Sequence, residues 1–89
     1  MPNTAIITGA ASGIGKEAAR DLLSKGWVVY GVDVSDAALA PATRELASDR
    51  FHPRSCDLRD ASAVTAVMRG IEADAPQVNA LICSAGVLK

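Results

Sequence analysis

The segment Thr8-Gly9-Ala10-Ala11-Ser12-Gly13-Ile14-Gly15 carries the clearest chemistry in this 89-residue sequence. Glycine lets the chain turn tightly and lets an anion come close to the backbone. Where such a turn opens a helix, the free N–H groups of the first helical turn and the helix dipole attract a phosphate. The spacing is T-G-x-x-x-G-x-G, one residue longer between the first two glycines than G-x-G-x-x-G. Placed between a strand and a helix, a turn of this kind suits the diphosphate of a dinucleotide.

Other residue types invite chemistry and are less persuasive. Lys16 and Lys25 fall on the helix after the turn with no partner to depress a pKa; Lys16 is expected to point to solvent. Ser12 belongs to the turn and has no base near it in sequence, so it is not a nucleophile. His52 stands alone and reads as an exposed edge-strand residue rather than a ligand. Tyr30 lies inside an apolar run and reads as core. Cys56 and Cys83 are too few for a disulfide framework or a zinc site, and no metal site is expected. Both end strands, and those ends should lie too far apart for a disulfide, so they are expected to be separate thiols.

The elements that must position the turn are legible from periodicity. Thr4 to Thr8 is a short run without a polar face, a strand buried on both sides. Ile14 to Lys25 is helical, with Ile14, Ala18 and Leu22 on one side and Gly26 as its terminator. Trp27 to Asp33 is a second strand. Ser35 or Asp36 could open a second helix running to about Ser48, but Pro41 removes a helix hydrogen bond. A loose first turn, with regular helix only from Pro41, is therefore expected. Phe51 to Asp57 forms a third strand, which Pro53 confines to a sheet edge. Asp60 caps a third helix with its stripe Val64, Val67, Met68 and Ile71. Val78 to Ser84 is a fourth strand. The alternation β-α-β-α-β-α-β predicts an α/β, Rossmann-like, doubly wound parallel sheet of order 3-2-1-4, a single domain over residues 1–89.

The T-G-x-x-x-G-x-G turn, with Asp33, Cys56-Asp57-Leu58 and Cys83-Ser84-Ala85-Gly86 at three later strand ends, resembles the N-terminal, cofactor-binding portion of the short-chain dehydrogenase/reductase family. The resemblance covers essentially the whole sequence. It implies that Gly9, Ala11, Ser12, Gly13, Ile14 and Gly15 take the diphosphate. Asp33, beside Val34, would accept the ribose hydroxyls of NAD and repel the 2′-phosphate of NADP, so NAD is expected over NADP. Asp57 and Leu58 would border the adenine, with Asp57 accepting from its amino group. Ser84, Ala85 and Gly86 would let the backbone approach the ribose; the family usually has Asn-Asn-Ala-Gly where this chain has Cys-Ser-Ala-Gly.

The same resemblance sets the function expected: NAD(H) binding in an oxidoreductase acting on an alcohol or carbonyl substrate. The family's catalytic serine, tyrosine and lysine normally lie beyond residue 89. Tyr30 is the sole tyrosine, with Val34 four residues on, so there is no Y-x-x-x-K. No catalytic residue is assigned, and the 89 residues are expected to bind without turnover. The alternatives are a stand-alone nucleotide-binding or assembly module, or an epimerase or regulator of similar build.

Composition bounds the rest. Net charge is −1 and the basic residues are scattered, which argues against a nucleic-acid face. No apolar run is long enough to span a membrane, and Met1-Pro2-Asn3-Thr4 does not begin a signal peptide; a cytoplasmic protein is expected. Strand 4 should present a bare apolar edge through which the chain self-associates.

Overall fold

A strand with no polar side has no solvent face to offer, and β1 (Thr4–Thr8) is buried at all five of its positions. The computed structural model of the chain describes residues 3–11, 13–34, 36–75 and 77–83. After β1 come α1 (Gly13–Ser24), β2 (Val28–Asp33), α2 (Asp36–Leu46), β3 (Phe51–Ser55), α3 (Ala61–Asp74) and β4 (Ala80–Cys83). The strands form one parallel sheet of order β3-β2-β1-β4, as the alternation predicts.

Register brings the strand ends together. Thr8 lies opposite both Val32 and Cys83, and Asp33 lies opposite Ser55. The C-terminal ends of all four strands therefore lie along one edge of the sheet. Asn79 fixes the start of β4 against β1: its side-chain oxygen accepts from Thr4 N–H at 2.9 Å, and its own N–H donates to the Thr4 carbonyl at 2.8 Å.

Successive side chains leave opposite faces of a strand, and each face is covered. Ile7, Val29 and Phe51 pack with Ala18, Ala19, Leu22 and Leu23 of α1 and Leu46 of α2. On the other face Ile6, Tyr30 and Val32 pack with Val64, Val67, Met68 and Ile71 of α3, the expected stripe. Ile71 is fully buried. Asp60 caps α3, accepting from Ser62 and Ala63 N–H. Gly26 ends α1 in the left-handed region at φ 86°. Its N–H donates to the Leu23 carbonyl and Trp27 N–H donates to that of Leu22, a Schellman closure.

Several details depart from expectation. Regular helix begins at Asp36 and runs through Pro41. The one bond lost is that to the Ala37 carbonyl; Ala37 and Pro41 both lie on the exposed side, so water can take that carbonyl. β3 ends at Ser55, although Cys56 N–H still donates to the Asp33 carbonyl at 2.7 Å. Ile14 does not join the apolar stripe of α1: it is 79% exposed, and the stripe begins a turn later at Ala18. His52 is half-buried, its ring 5.0 Å from that of Tyr30, and Arg54 lies over the same tyrosine.

Pro53 does sit on an edge strand. Val29 N–H to Arg50 carbonyl and Cys56 N–H to Asp33 carbonyl bracket the ladder, so even-numbered residues of β3 donate to β2. The nitrogen of Pro53 faces the free side, where no donor is needed. Cys56 is buried and Cys83 exposed, and neither is in a disulfide. Burial, then the nearby Asp57 and Asp60, push the Cys56 thiol up, which suits a packing residue. Among the described residues no helix is long and apolar enough to cross a membrane, and no group of three or more potential metal ligands gathers.

Gly31 is required by close approach. A Cβ there would stand 2.9 Å from Ala10 Cβ and closer still to the ring of Phe51. Gly31→Ala should destabilise the chain by about 1–3 kcal/mol, the usual range for overpacking; an unchanged urea midpoint would refute this.

Lys16 does not point freely to solvent. Its Nζ lies 2.9 Å from Oε1 of Glu45, and Arg20 Nη2 lies 2.9 Å from Oε2, so one carboxylate on α2 clasps two cations on α1. Hydrogen bonds from Lys16 and then Arg20 hold the Glu45 carboxyl below its ordinary value. Its contribution is therefore present above the unfolded carboxylate range and lost as pH falls through the lowered folded value. Glu45→Gln should flatten the fall in thermal midpoint on acidification, with identical slopes in the two proteins counting against the clasp. High salt should shrink the difference.

Candidate cofactor site

The turn between β1 and α1 leans on β2. Gly9 and Ala10 N–H both donate to the Val32 carbonyl, at 2.8 and 3.2 Å. Gly9 has φ 72° and Gly13 φ 59°, values that side chains rarely adopt. A Cβ added at Gly13 would meet no heavy atom within 4 Å, so the mouth of the turn is open on that side. Gly15 is buried at the start of the helix.

Asp33, the last residue of β2, turns its carboxylate into this mouth. Its Oδ2 accepts from Ala11 N–H at 2.9 Å and its Oδ1 from Val34 N–H at 2.6 Å. The acid thus bridges the glycine turn and the loop leaving β2, and it remains only partly buried.

The three helix starts differ electrostatically. α2 has Asp36 in its first turn and α3 is capped by Asp60, whereas the first turn of α1 carries no acid. The first N–H groups of any helix lack intrahelical acceptors and carry partial positive charge. The glycine-rich end of α1 therefore keeps that charge for an external anion. The residues present fit a diphosphate: open backbone, glycines where side chains would obstruct, and no acid in that turn.

Two of the large apolar residues left exposed belong to this edge. Ile14 is 79% and Val34 59% exposed, flanking the mouth on the α1 and β2 sides. Below Asp33, the Cys56 N–H bond to its carbonyl brings the end of β3 alongside. Asp57 follows, and its carboxylate is taken up by Arg59: Oδ1 accepts from Arg59 N–H at 3.0 Å and Nε–H at 3.1 Å, and Oδ2 from an Nη2–H at 3.3 Å. The Arg59 guanidinium holds the Asp57 carboxyl below its ordinary value.

Gly9, Ala11, Gly13, Ile14 and Gly15, then Asp33 and Val34, then Asp57 and Leu58, thus occupy three neighbouring strand ends along one edge. Leu58 is half-buried and packs under α3. Ser12, Ser84, Ala85 and Gly86 lie outside the described residues. Sequence reasoning missed Arg59, Glu45 and Gly31. Arg59 had one signal, its place two residues after an acid that can form an Asx turn. Glu45 had none, because its partners lie on another helix.

Comparison with known proteins agrees with this geometry. The family model for short chain dehydrogenases matches residues 3–89. The chain is 39% identical over 83 residues to the 2-dehydro-3-deoxy-L-rhamnonate dehydrogenase (NAD(+)) of a Sphingomonas species, covering 93% of this chain and 32% of that protein. It is 34% identical to the D-threitol dehydrogenase of Mycolicibacterium smegmatis, over 96% of this chain and 34% of the relative. The chain spans about a third of the length of these relatives. Among solved structures, actinorhodin polyketide ketoreductase with NADPH superposes at a TM-score of 0.89 with 31% identity, over 97% of this chain and 34% of that one. The 3-ketoacyl-(acyl-carrier-protein) reductase of Brucella melitensis with NADH gives 0.80 and 26%, over 89% and 32%. Members of the family bind a nicotinamide dinucleotide, and these two structures hold its two forms. With a family match running from residue 3 to residue 89 over the sheet and its glycine turn, the chain belongs to the short-chain dehydrogenases.

Proposed function

We propose that these residues form the adenosine and diphosphate side of an NAD(H) site in an oxidoreductase acting on an alcohol or carbonyl. The observation that carries this reading is the Asp33 carboxylate, turned into the crevice beside a helix start with no acid of its own. Gly9, Ala11, Ser12, Gly13, Ile14 and Gly15 would hold the diphosphate. Asp33 would accept from the ribose hydroxyls, exchanging its present bond to Ala11 N–H for donors on the sugar, with Val34 against the ring. Asp57 and Leu58 would border the adenine, and Ser84, Ala85 and Gly86 would approach the ribose from β4. When bound, the nicotinamide supplies hydride transfer. The residues here hold the opposite end and fix its position.

Two observations favour NAD over NADP. A 2′-phosphate would meet the Asp33 carboxylate, a like charge. Lys16, the cation nearest the turn in sequence, is engaged by Glu45 rather than aimed at the ribose. By their names the proteins compared above are two dehydrogenases and two ketoreductases, which supports an alcohol or carbonyl substrate for this chain.

Calorimetric titration of the 89-residue chain tests the reading. NAD and ADP-ribose should bind within a few-fold of one another, because the contacts are made to the half they share; NAD binding far more tightly than ADP-ribose counts against it. NADP should bind more weakly. Asp33→Ala should narrow the NAD-to-NADP gap by roughly tenfold or more, since juxtaposed like charges cost on the order of kilocalories; an unaltered ratio removes Asp33 from this role.

We further propose that the partner at the β4 edge is a second copy of the chain. β4 is an edge strand whose Leu81 is 59% exposed, and unpaired backbone on an apolar strand templates pairing. Light scattering behind size exclusion should show association at tens of micromolar. A clean monomer there overturns it.

A further inference from the structure

We infer that Glu45 is a specificity-determining residue for the nucleotide: by holding Lys16 against α2 it keeps a cation out of the crevice and so disfavours a 2′-phosphate. The inference rests on the dinucleotide site just proposed and assigns part of its discrimination to a residue outside that site, acting through another.

In this parallel sheet each helix leaves the C-terminal end of one strand and returns to the start of the next, so α1 and α2 both begin at the crevice edge and run away from it. They share one face of the sheet, where Ala18 and Leu22 of α1 and Leu46 of α2 join the same core. Lys16 is the fourth residue of α1, which puts it about 4.5 Å along the axis from the helix start. Glu45 stands in the last turn of α2, at the end remote from the crevice. Its Oε1 accepts from Lys16 Nζ and its Oε2 from Arg20 Nη2, both at 2.9 Å. Arg20 is one turn deeper on α1 than Lys16, so a carboxylate shared by the two lies on the deep side of Lys16 and draws the ammonium away from the helix start.

Without that carboxylate the forces on Lys16 reverse. Helical side chains lean toward the N-terminus of their own helix, which for α1 is the crevice end. The flexible four-carbon stem of a lysine covers the one turn that separates it from that end. Arg20 keeps a second partner, Glu17 at 3.5 Å, and stays where it is. Its like charge at i+4 then pushes Lys16 toward the helix start. Glu17 adjoins Lys16 in sequence and does not face it, so it gives the freed ammonium no anchor. Asp33 and Asp36, which end β2 and begin α2 at the crevice edge, attract the ammonium there. A cation at that edge offsets the repulsion that Asp33 exerts on a 2′-phosphate.

Calorimetry on the intact chain compares NAD with NADP in the wild type, Glu45→Ala, Lys16→Met, the double variant of these two, and Arg20→Gln. Glu45→Ala should raise NADP affinity relative to NAD about fivefold, as one ammonium–phosphate contact near a protein surface would give, and high salt should shrink the gain. Glu45→Gln, which keeps the shape of the side chain, should act in the same direction. The diphosphate is common to both ligands, so a gain made there cancels in the ratio. Lys16→Met alone should leave the wild-type ratio unchanged, because Lys16 is already withheld, and the double variant should return to that ratio. Arg20→Gln loosens the contact between the helices but keeps the Lys16 bond, so it should not move the ratio. A shift in Arg20→Gln as large as that in Glu45→Ala makes helix packing the cause and overturns the inference. So does an unchanged ratio in both Glu45 variants, or a gain that survives in the double variant. Each of these results, with the wild type still binding NAD above NADP, leaves the proposed function standing. Failure of the wild type to bind either dinucleotide overturns both.

Discussion

One carbonyl organises this edge of the molecule. The Val32 oxygen accepts from Gly9 and Ala10 N–H, so the turn leaving β1 is fastened to the strand beside it rather than looping free. The next residue, Asp33, fastens Ala11 by its side chain. Three consecutive N–H groups of the turn are thereby held by two consecutive residues of β2. The helix that follows starts where the turn releases it, at Gly13, with open space beside that residue. Gly31 belongs to the same constraint, because Ala10 could not sit so close over β2 if that position carried a side chain.

The distribution of acids follows a consistent physical division. Where a helix start serves structure alone, a carboxylate neutralises it: Asp36 on α2 and Asp60 on α3. Where it faces the crevice, the nearest carboxylate is displaced onto the preceding turn. Asp57 shows the converse device, an acid at a strand end supplied with its own cation so that its charge is stable without a ligand. Both arrangements hold charged groups in fixed geometry before anything binds, which lowers the reorganisation that binding requires.

What could be read from the sequence was local or periodic. β1, the Gly26 terminator, the Asp60 cap and the Val64 to Ile71 stripe are each set by residues within a few positions of one another, and each is found. The strand order followed from connection rules that prune alternatives strongly. Pro41 does not delay α2, since one missing hydrogen bond on the wet side of a helix is a small cost beside the burial of Leu39 and Ala42. Period alone puts Ile14 on the apolar stripe of α1, yet period does not reveal that its side chain is exposed while packing begins at Ala18. Lys16 meets Glu45 across 29 residues of sequence, a distance at which neither periodicity nor spacing carries information. The candidate residues of the turn and of β2 and β3 stand out because backbone conformation and charge demand their types; Arg59 does not, because an exposed arginine is an ordinary surface residue.

The two rims of the sheet are not equivalent. On β3, Pro53 presents a ring where a backbone donor would otherwise stand, and Arg54 and Asp74 are paired alongside. That rim is one donor short at its centre. A strand laid along this rim would lack that hydrogen bond, so the β3 side of the sheet is guarded against pairing with another backbone.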